Sequence, residues 1–127
     1  MPVKLSYDAF TLIRSQTGAA VQDAAPTNGA SVVEAQCFGT FGQNEVALYW
    51  AGTGAVAGNT VDIEVYIYDG PRDLWVLLDA VYGLQRHQVA LLNALGAPTL
   101  YARIINPVTA GTDLKVYASA PHSTLNG

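Results

Sequence analysis

The stretch Asn59-Thr-Val-Asp-Ile-Glu-Val-Tyr-Ile-Tyr-Asp-Gly70 decides the fold of this chain. Its β-branched residues from Val61 to Ile67 alternate strictly with carboxylates and tyrosines. A period of two indicates a half-buried β-strand, because successive side chains on a strand point to opposite faces. The aliphatic face is therefore expected to lie in a core, and a second apolar layer must cover it.

Length and composition predict one soluble domain. The chain has 127 residues, of which 50% are hydrophobic and 13% charged, and its net charge is −4. This length is enough to bury a core, and the high apolar content indicates either a large core or a surface covered by a partner. The acidic balance lacks the basic field that nucleic-acid binding needs, so we expect no nucleic-acid partner.

The single cysteine and the N-terminal sequence limit the cellular compartments in which the protein is expected. Cys37 is the only cysteine, which excludes an intrachain disulfide and a cysteine-based zinc site. Neither a leader pattern nor an apolar window of membrane-spanning length occurs. We therefore expect a protein that is made in a cytoplasm and does not enter a membrane.

Further strands are predicted on both sides of the central one. Residues 32–41 place Val33, Ala35, Cys37 and Phe41 on one face. The run Val46–Ala51 is nearly continuously apolar, so either Tyr49 or Trp50 must point away from the core. Leu74–Leu78 forms another strand. Thr99–Ile105 and Thr112–Ala118 both alternate and are expected to form an antiparallel hairpin. The first places Leu100, Ala102 and Ile104 on one face, and the second places Leu114, Val116 and Ala118 inward and Lys115 and Tyr117 outward.

The segment Leu84–Leu95 fits two structures. Leu84, Gln88, Leu91 and Leu95 have helical spacing, whereas Val89 and Leu91 fit a short strand. We favour the strand because the surrounding segments are β.

These patterns predict an all-β fold, an antiparallel β-sandwich or jelly roll of seven to eight strands with an extended N-terminal arm. The sandwich is expected over residues 31–120. Residues 1–30 form the arm or a connecting segment, since 17–31 are small and turn-rich, and 121–127 form a C-terminal tail.

No catalytic, cofactor or metal site is expected. Gly52–Ala57 matches the dinucleotide pattern G-x-G-x-x-A, but it leads into a strand and not into the helix that binds a pyrophosphate. Asp62 and Glu64 share a strand face at a spacing that resembles a glycosidase pair. Neighbours in one environment do not separate their pKa values, so a solvated face is the better interpretation. His87 and His122 belong to no metal-binding pair.

The aromatic residues are the better candidates for recognition. Tyr66 and Tyr68 lie on the polar face of the central strand, and Trp75 follows on the next strand. Outward aromatic rings either stack on a sugar or are buried against a protein partner. Tyr66, Tyr68 and Trp75 are therefore the predicted interface or ligand surface.

The C-terminal half carries a family resemblance. The segments Ala97-Pro-Thr-Leu-Tyr-Ala-Arg-Ile104 and Thr112-Asp-Leu-Lys-Val-Tyr-Ala-Ser119, with few charges and many small residues, resemble small β-sandwich virion proteins of tailed bacteriophages. Capsid decoration (cement) proteins are the nearest members. The resemblance implies a homotrimer without enzymatic activity that binds the major capsid protein or another virion protein on the outside of the capsid.

Two hypotheses follow. The first is a capsid decoration protein, with the virion as its location. The alternative is a carbohydrate-binding β-sandwich module or another virion accessory protein of a tail or fibre. An assembly protein self-associates without a ligand, whereas a carbohydrate-binding module responds to sugar.

Overall fold

The computed structural model describes residues 3–5, 10–17, 23–40, 42–52, 60–105, 113–119 and 123–125. These residues form strands and two short 3-10 turns, Gly29–Ser31 and Glu34–Gln36, and they contain no α-helix. The strands are β1 (Val3–Leu5), β2 (Thr11–Thr17), β3 (Cys37–Phe38), β4 (Glu45–Gly52), β5 (Thr60–Asp69), β6 (Leu74–Gln85), β7 (Ala90–Asn93), β8 (Leu100–Ile105), β9 (Asp113–Ser119) and β10 (Ser123–Leu125).

The first strand in the sequence pairs with the last, the second with the last but one, and so on to the middle of the chain. β1 pairs with β10, β2 with β9, β3 with β8, β4 with β7 and β5 with β6, all antiparallel. Eight of them form two sheets: sheet I has the order β2-β9-β4-β7 and sheet II the order β3-β8-β5-β6. One long antiparallel ribbon rolled into two layers is a jelly roll, which confirms the predicted fold class.

The core lies between the two sheets and follows the predicted alternation. Val61, Ile63 and Val65 of β5 have no exposed surface. Trp50 from sheet I is equally buried, and its Nε1 donates a hydrogen bond of 2.7 Å to the carbonyl oxygen of Leu84 in sheet II. Leu100, Ala102, Ile104, Leu114, Val116 and Ala118 point inward as their spacing predicts.

The prediction for residues 32–41 is wrong. Only Cys37–Phe38 is a strand, the 3-10 turn Glu34–Gln36 precedes it, and Val33 is exposed. Phe38 packs against the core while Cys37 faces the other way. Glu34, Ala35 and Gln36 have weak β propensity, so the short-range alternation did not extend into a strand. Phe41 lies outside the described residues.

The predicted hairpin of β8 and β9 is also wrong, because the two strands lie in different sheets. β8 pairs with β3 and β5, whereas β9 pairs with β2 and β4. In this rolled ribbon, the chain crosses from sheet II to sheet I between β8 and β9. Local alternation cannot distinguish that crossing from a hairpin turn.

The strand interpretation of the segment Leu84–Leu95 is confirmed, with a shifted register. β6 continues to Gln85, and β7 covers Ala90–Asn93. Leu92 is buried while Leu91 and Val89 are exposed, the reverse of an inward Leu91.

The sandwich begins before the expected residue 31. β2 pairs with β9 along the edge of sheet I, and Arg14 within it is buried. Residues 23–36, which we call the strap, are attached to sheet II. A truncation of residues 1–28 therefore removes a strand of the sandwich and does not isolate an arm.

Candidate functional site

The predicted aromatic residues come together on the outer face of sheet II. The rings of Tyr68 and Trp75 lie 5.2 Å apart between centroids, and Trp75 lies 6.1 Å from Tyr101 of β8. Tyr66 lies 6.4 Å from the Tyr101 ring. Tyr68 is exposed and Trp75 partly so, whereas Tyr66 is buried. Of the three predicted residues, Tyr68 and Trp75 are thus available to a ligand.

Tyr66 is buried within a polar network centred on Glu64. The hydroxyl groups of Tyr66 and Tyr82 donate hydrogen bonds of 2.7 and 2.8 Å to the Glu64 carboxylate, and Arg103 Nη1 donates one of 2.8 Å. Burial raises the pKa of Glu64, but these hydrogen bonds and the charge of Arg103 outweigh burial and lower it. The carboxylate is therefore held ionised by its partners.

This network corrects the expectation of a solvated carboxylate face. Glu64 is only 8% exposed, and Asp62 accepts a hydrogen bond of 2.7 Å from the backbone N–H of Gly83. Each carboxylate has its own structural partners. A pair that shares one substrate between acid and base is not formed by Asp62 and Glu64.

The strap covers part of this face, and the sequence interpretation missed it. Arg14 donates two hydrogen bonds of 2.9 Å to the carboxylate of Asp23 and one of 2.7 Å to the carbonyl oxygen of Ala102. Asp23 Oδ2 also accepts the N–H of Ile104, and the Asp23 carbonyl accepts Arg103 Nε. Asp23 thereby pairs with backbone groups of β8 beyond the short partner strand β3.

The far end of the strap is held at the tip of the β5–β6 hairpin. The N–H of Trp75 donates a 2.8 Å hydrogen bond to the Thr27 carbonyl, and the N–H of Gly29 donates one of 2.8 Å to Asp73. Asp73 also accepts the hydroxyl of Tyr68. A Cβ atom at Gly29 would lie 3.0 Å from both the Asp73 and the Tyr68 oxygens, so this close approach favours glycine. The strap therefore crosses sheet II from β8 to β6.

A groove lies between the strap and the hairpin tip. Its volume is about 450 Å³, within the range of small-molecule sites. Burial raises the pKa of the Cys37 thiol in its wall, with a smaller contribution from the charge of Glu34, so this thiol is not an activated nucleophile. The lining residues are Gly29, Val32, Glu34, Cys37, Tyr68, Trp75 and Thr99.

The outer face of sheet I has a different character. Leu12, Tyr117 and Tyr49 are successive cross-strand partners on β2, β9 and β4. The Tyr49 ring stacks on Tyr117 at 5.1 Å and meets Phe10 edge-on at 5.0 Å. Leu91 of β7 continues this face and is 57% exposed. We call Phe10, Leu12, Tyr49, Leu91 and Tyr117 the sheet I patch.

Alternation predicted two of the five residues of this patch. The sequence required that Tyr49 or Trp50 point outward, and the structure selects Tyr49 because Trp50 fills the core. Tyr117 was also predicted to point outward. Phe10, Leu12 and Leu91 carried no such signal, because the β2–β9 pairing and the register of β7 are set by tertiary contacts.

Other candidate sites are not assembled in the part of the chain that the structure describes. That part contains no cluster of three or more histidine, cysteine, aspartate or glutamate residues able to hold a metal ion. His122 and the dinucleotide-like residues from Thr53 to Ala57 lie outside it. Within the same ranges, no helix is long and apolar enough to cross a membrane.

Comparison of the chain with protein-family models, with curated proteins and with solved structures finds no match. The groove, the sheet I patch and the fold are the features of the molecule that bear on its function.

Proposed function

We propose that the chain is a non-enzymatic structural protein of a virion, a capsid decoration protein that binds the outside of a phage capsid and stabilises it. The sheet I patch carries this proposal. It presents aromatic and aliphatic side chains on a sheet face, with Leu12 47% and Leu91 57% exposed. Exposed apolar side chains that share one sheet face in this way are typical of a site of protein association.

The partners in the proposal are other copies of the chain and the major capsid protein or another virion protein. Identical subunits with an apolar face commonly associate with closed symmetry, and a trimer is the state that the phage resemblance implies. A stable interface buries about 1,600 Å² in total, so a sheet face of this kind supplies its apolar centre. The jelly roll supports the proposal by analogy alone, since viral capsid domains use it and so do lectins.

The first test is the oligomeric state of the wild-type chain and of Leu91→Asp, measured by light scattering coupled to size exclusion. We expect a trimer for the wild type and a monomer for the variant, because a charge enclosed in an apolar interface is not solvated. Leu77→Asp is the matched control: Leu77 is 49% exposed but lies on sheet II. A wild-type monomer at high concentration would refute the trimer.

The second test is co-sedimentation with particles of the phage that encodes the chain. Wild type and Leu77→Asp are expected in the pellet and Leu91→Asp in the supernatant. If Leu91→Asp sediments as fully as the wild type, the sheet I patch is not the docking surface.

A further inference from the structure

We propose that the groove between the strap and the β5–β6 hairpin binds the ring of a neutral sugar. This site lies on sheet II, on the opposite side of the sandwich from the sheet I patch. It therefore goes beyond the proposed assembly role, and its test is independent of that role.

The aromatic wall of the groove is pre-positioned. Tyr68 and Trp75 stand side by side with their planes inclined by 48°. The Tyr68 hydroxyl is fixed by Asp73, and Trp75 packs against Tyr101 from behind. Aromatic faces carry partial negative charge and attract the partly positive C–H groups that a pyranose ring presents on one side. Little conformational freedom is lost when a ring stacks on groups that are already held in place.

The polar groups of the groove suit hydroxyl groups. Glu34 provides a carboxylate acceptor and Thr99 a hydroxyl that both donates and accepts. The indole Nε1 of Trp75 is buried and has no hydrogen-bond partner among the described residues. Buried donors in proteins are rarely left unpaired, and we assign this N–H to a hydrogen-bond acceptor of the bound ligand.

The charge of the groove lining distinguishes between possible ligands. Among the described residues that line the groove, the one charged side chain is the acidic Glu34, which disfavours phosphates and acidic sugars. An ammonium or guanidinium group would stack on the rings and pair with Glu34, but it has no acceptor for the Trp75 N–H. A sugar hydroxyl both donates to Glu34 and accepts from the indole. The presence of both an acceptor, the Glu34 carboxylate, and a donor, the Trp75 indole N–H, therefore favours a neutral sugar over a cation.

Cys37 provides a site-specific measurement. It is the only cysteine in the chain and it lines the groove. We would follow its reaction with a thiol-specific chromogenic reagent in the presence of glucose, galactose, mannose and N-acetylglucosamine and their disaccharides. At least one of these is expected to slow the reaction saturably, with a dissociation constant on the order of 1 mM for a ligand of this size.

Tryptophan emission gives a second measurement. The chain has two tryptophans, and Trp50 is fully buried in the core, so a sugar-dependent shift reports on Trp75. Trp75→Ala should weaken the protection of Cys37 about tenfold by loss of stacking. Val76→Ala is the matched control, because Val76 is its neighbour on the same strand but points to the opposite face. Protection in that variant should match the wild type.

Glu34→Gln keeps the test valid if Trp75→Ala does not fold, since Glu34 is exposed. It should weaken sugar binding several-fold without abolishing it. The proposal is overturned if none of the sugars slows the reaction of Cys37, or if protection persists unchanged in Trp75→Ala. It is also overturned if choline or arginine amide protects Cys37 and the sugars do not, which would identify a cation site.

Discussion

The two outer faces of the jelly roll are built in opposite ways. On sheet II, charged and polar side chains such as Glu64 and Arg103 are drawn into a network, and the strap lies across them. On sheet I, the aromatic pair Tyr49 and Tyr117 is flanked by exposed leucines. The face that looks polar in the sequence is the one the chain covers itself. The face that looks apolar keeps exposed leucines at its two edge strands, so polarity alone does not identify the solvent side of a strand.

The largest expected effect comes from detaching the strap from the sandwich. Arg14→Met leaves the Asp23 carboxylate and the Ala102 carbonyl without their donor, in a pair whose side chains are 4% and 13% exposed. Removal of one partner of a buried pair costs about 3 kcal/mol or more. Chemical denaturation measures the loss.

Arg72→Met is the matched control for that substitution. Its pair with Asp69 is at the surface, with Arg72 73% exposed, and exposed pairs of this kind contribute under about 1 kcal/mol. If the two substitutions had equal effects, the strap would not be an integral layer of the fold, and the contrast between the two faces would disappear.

Glu64→Ala is expected to destabilise the fold by about 2 kcal/mol, because Arg103 and two tyrosine hydroxyl groups lose their common acceptor. Asp62→Ala on the same face serves for comparison, since Asp62 accepts the Gly83 N–H as its one hydrogen bond from the described residues and is less buried. A solvated face, as the alternation predicted, would make both substitutions silent in denaturation.

The pH dependence of stability gives a smaller but specific signal. Burial raises the pKa of Glu64, but the hydrogen bonds from Tyr66, Tyr82 and Arg103 outweigh it and hold the pKa below its ordinary value of 4.5. A lowered folded pKa means that the ionised carboxylate stabilises the fold above about pH 4.5. This contribution is lost as the pH falls through the folded pKa.

Glu64→Gln isolates that contribution. The difference in unfolding free energy between wild type and Glu64→Gln should be constant at neutral pH and shrink below about pH 4.5. A difference that grows on acidification would mean that the carboxylate is not stabilised by its donors.

The sequence predicted what is set by local alternation. The inward positions of Val61, Ile63 and Val65, and those of β8 and β9, follow from side-chain direction on a strand, and the structure confirms them. The ribbon pairing was not predictable in this way, because β2 and β9 are separated by most of the chain. The jelly roll was therefore one of two alternatives.

The groove on sheet II was likewise predictable only for its residues that lie on strands. Tyr68 and Trp75 were identified because aromatic rings that point outward from a strand are typical of recognition surfaces. The groove also needs Gly29, Val32 and Glu34, which come from a small and turn-rich segment without periodicity. A buried arginine such as Arg14 carries no sequence signal, since burial of a cation depends on a partner that tertiary folding brings to it.

The smallest expected effect on stability comes from a substitution of Leu95, at the end of the exposed apolar surface. Leu95 follows β7 with a φ of 51° and is 60% exposed. A left-handed conformation costs an L-residue other than glycine or asparagine about 1 kcal/mol, and an exposed leucine gains little packing in return. Leu95→Asn should therefore raise the free energy of unfolding by about 0.5 kcal/mol.

Leu91→Asn is the control for this change, because Leu91 is equally exposed but lies in a regular strand, where asparagine is unfavourable. It should leave stability unchanged or lower it slightly. A lowered denaturation midpoint for Leu95→Asn would show that the leucine packs better than its exposure indicates. The same two variants in light scattering define the contact surface of the proposed trimer. If Leu91→Asn weakens self-association and Leu95→Asn does not, the association surface ends at the face of sheet I. If both weaken it, the surface extends around the end of β7, and the strained leucine is retained for assembly.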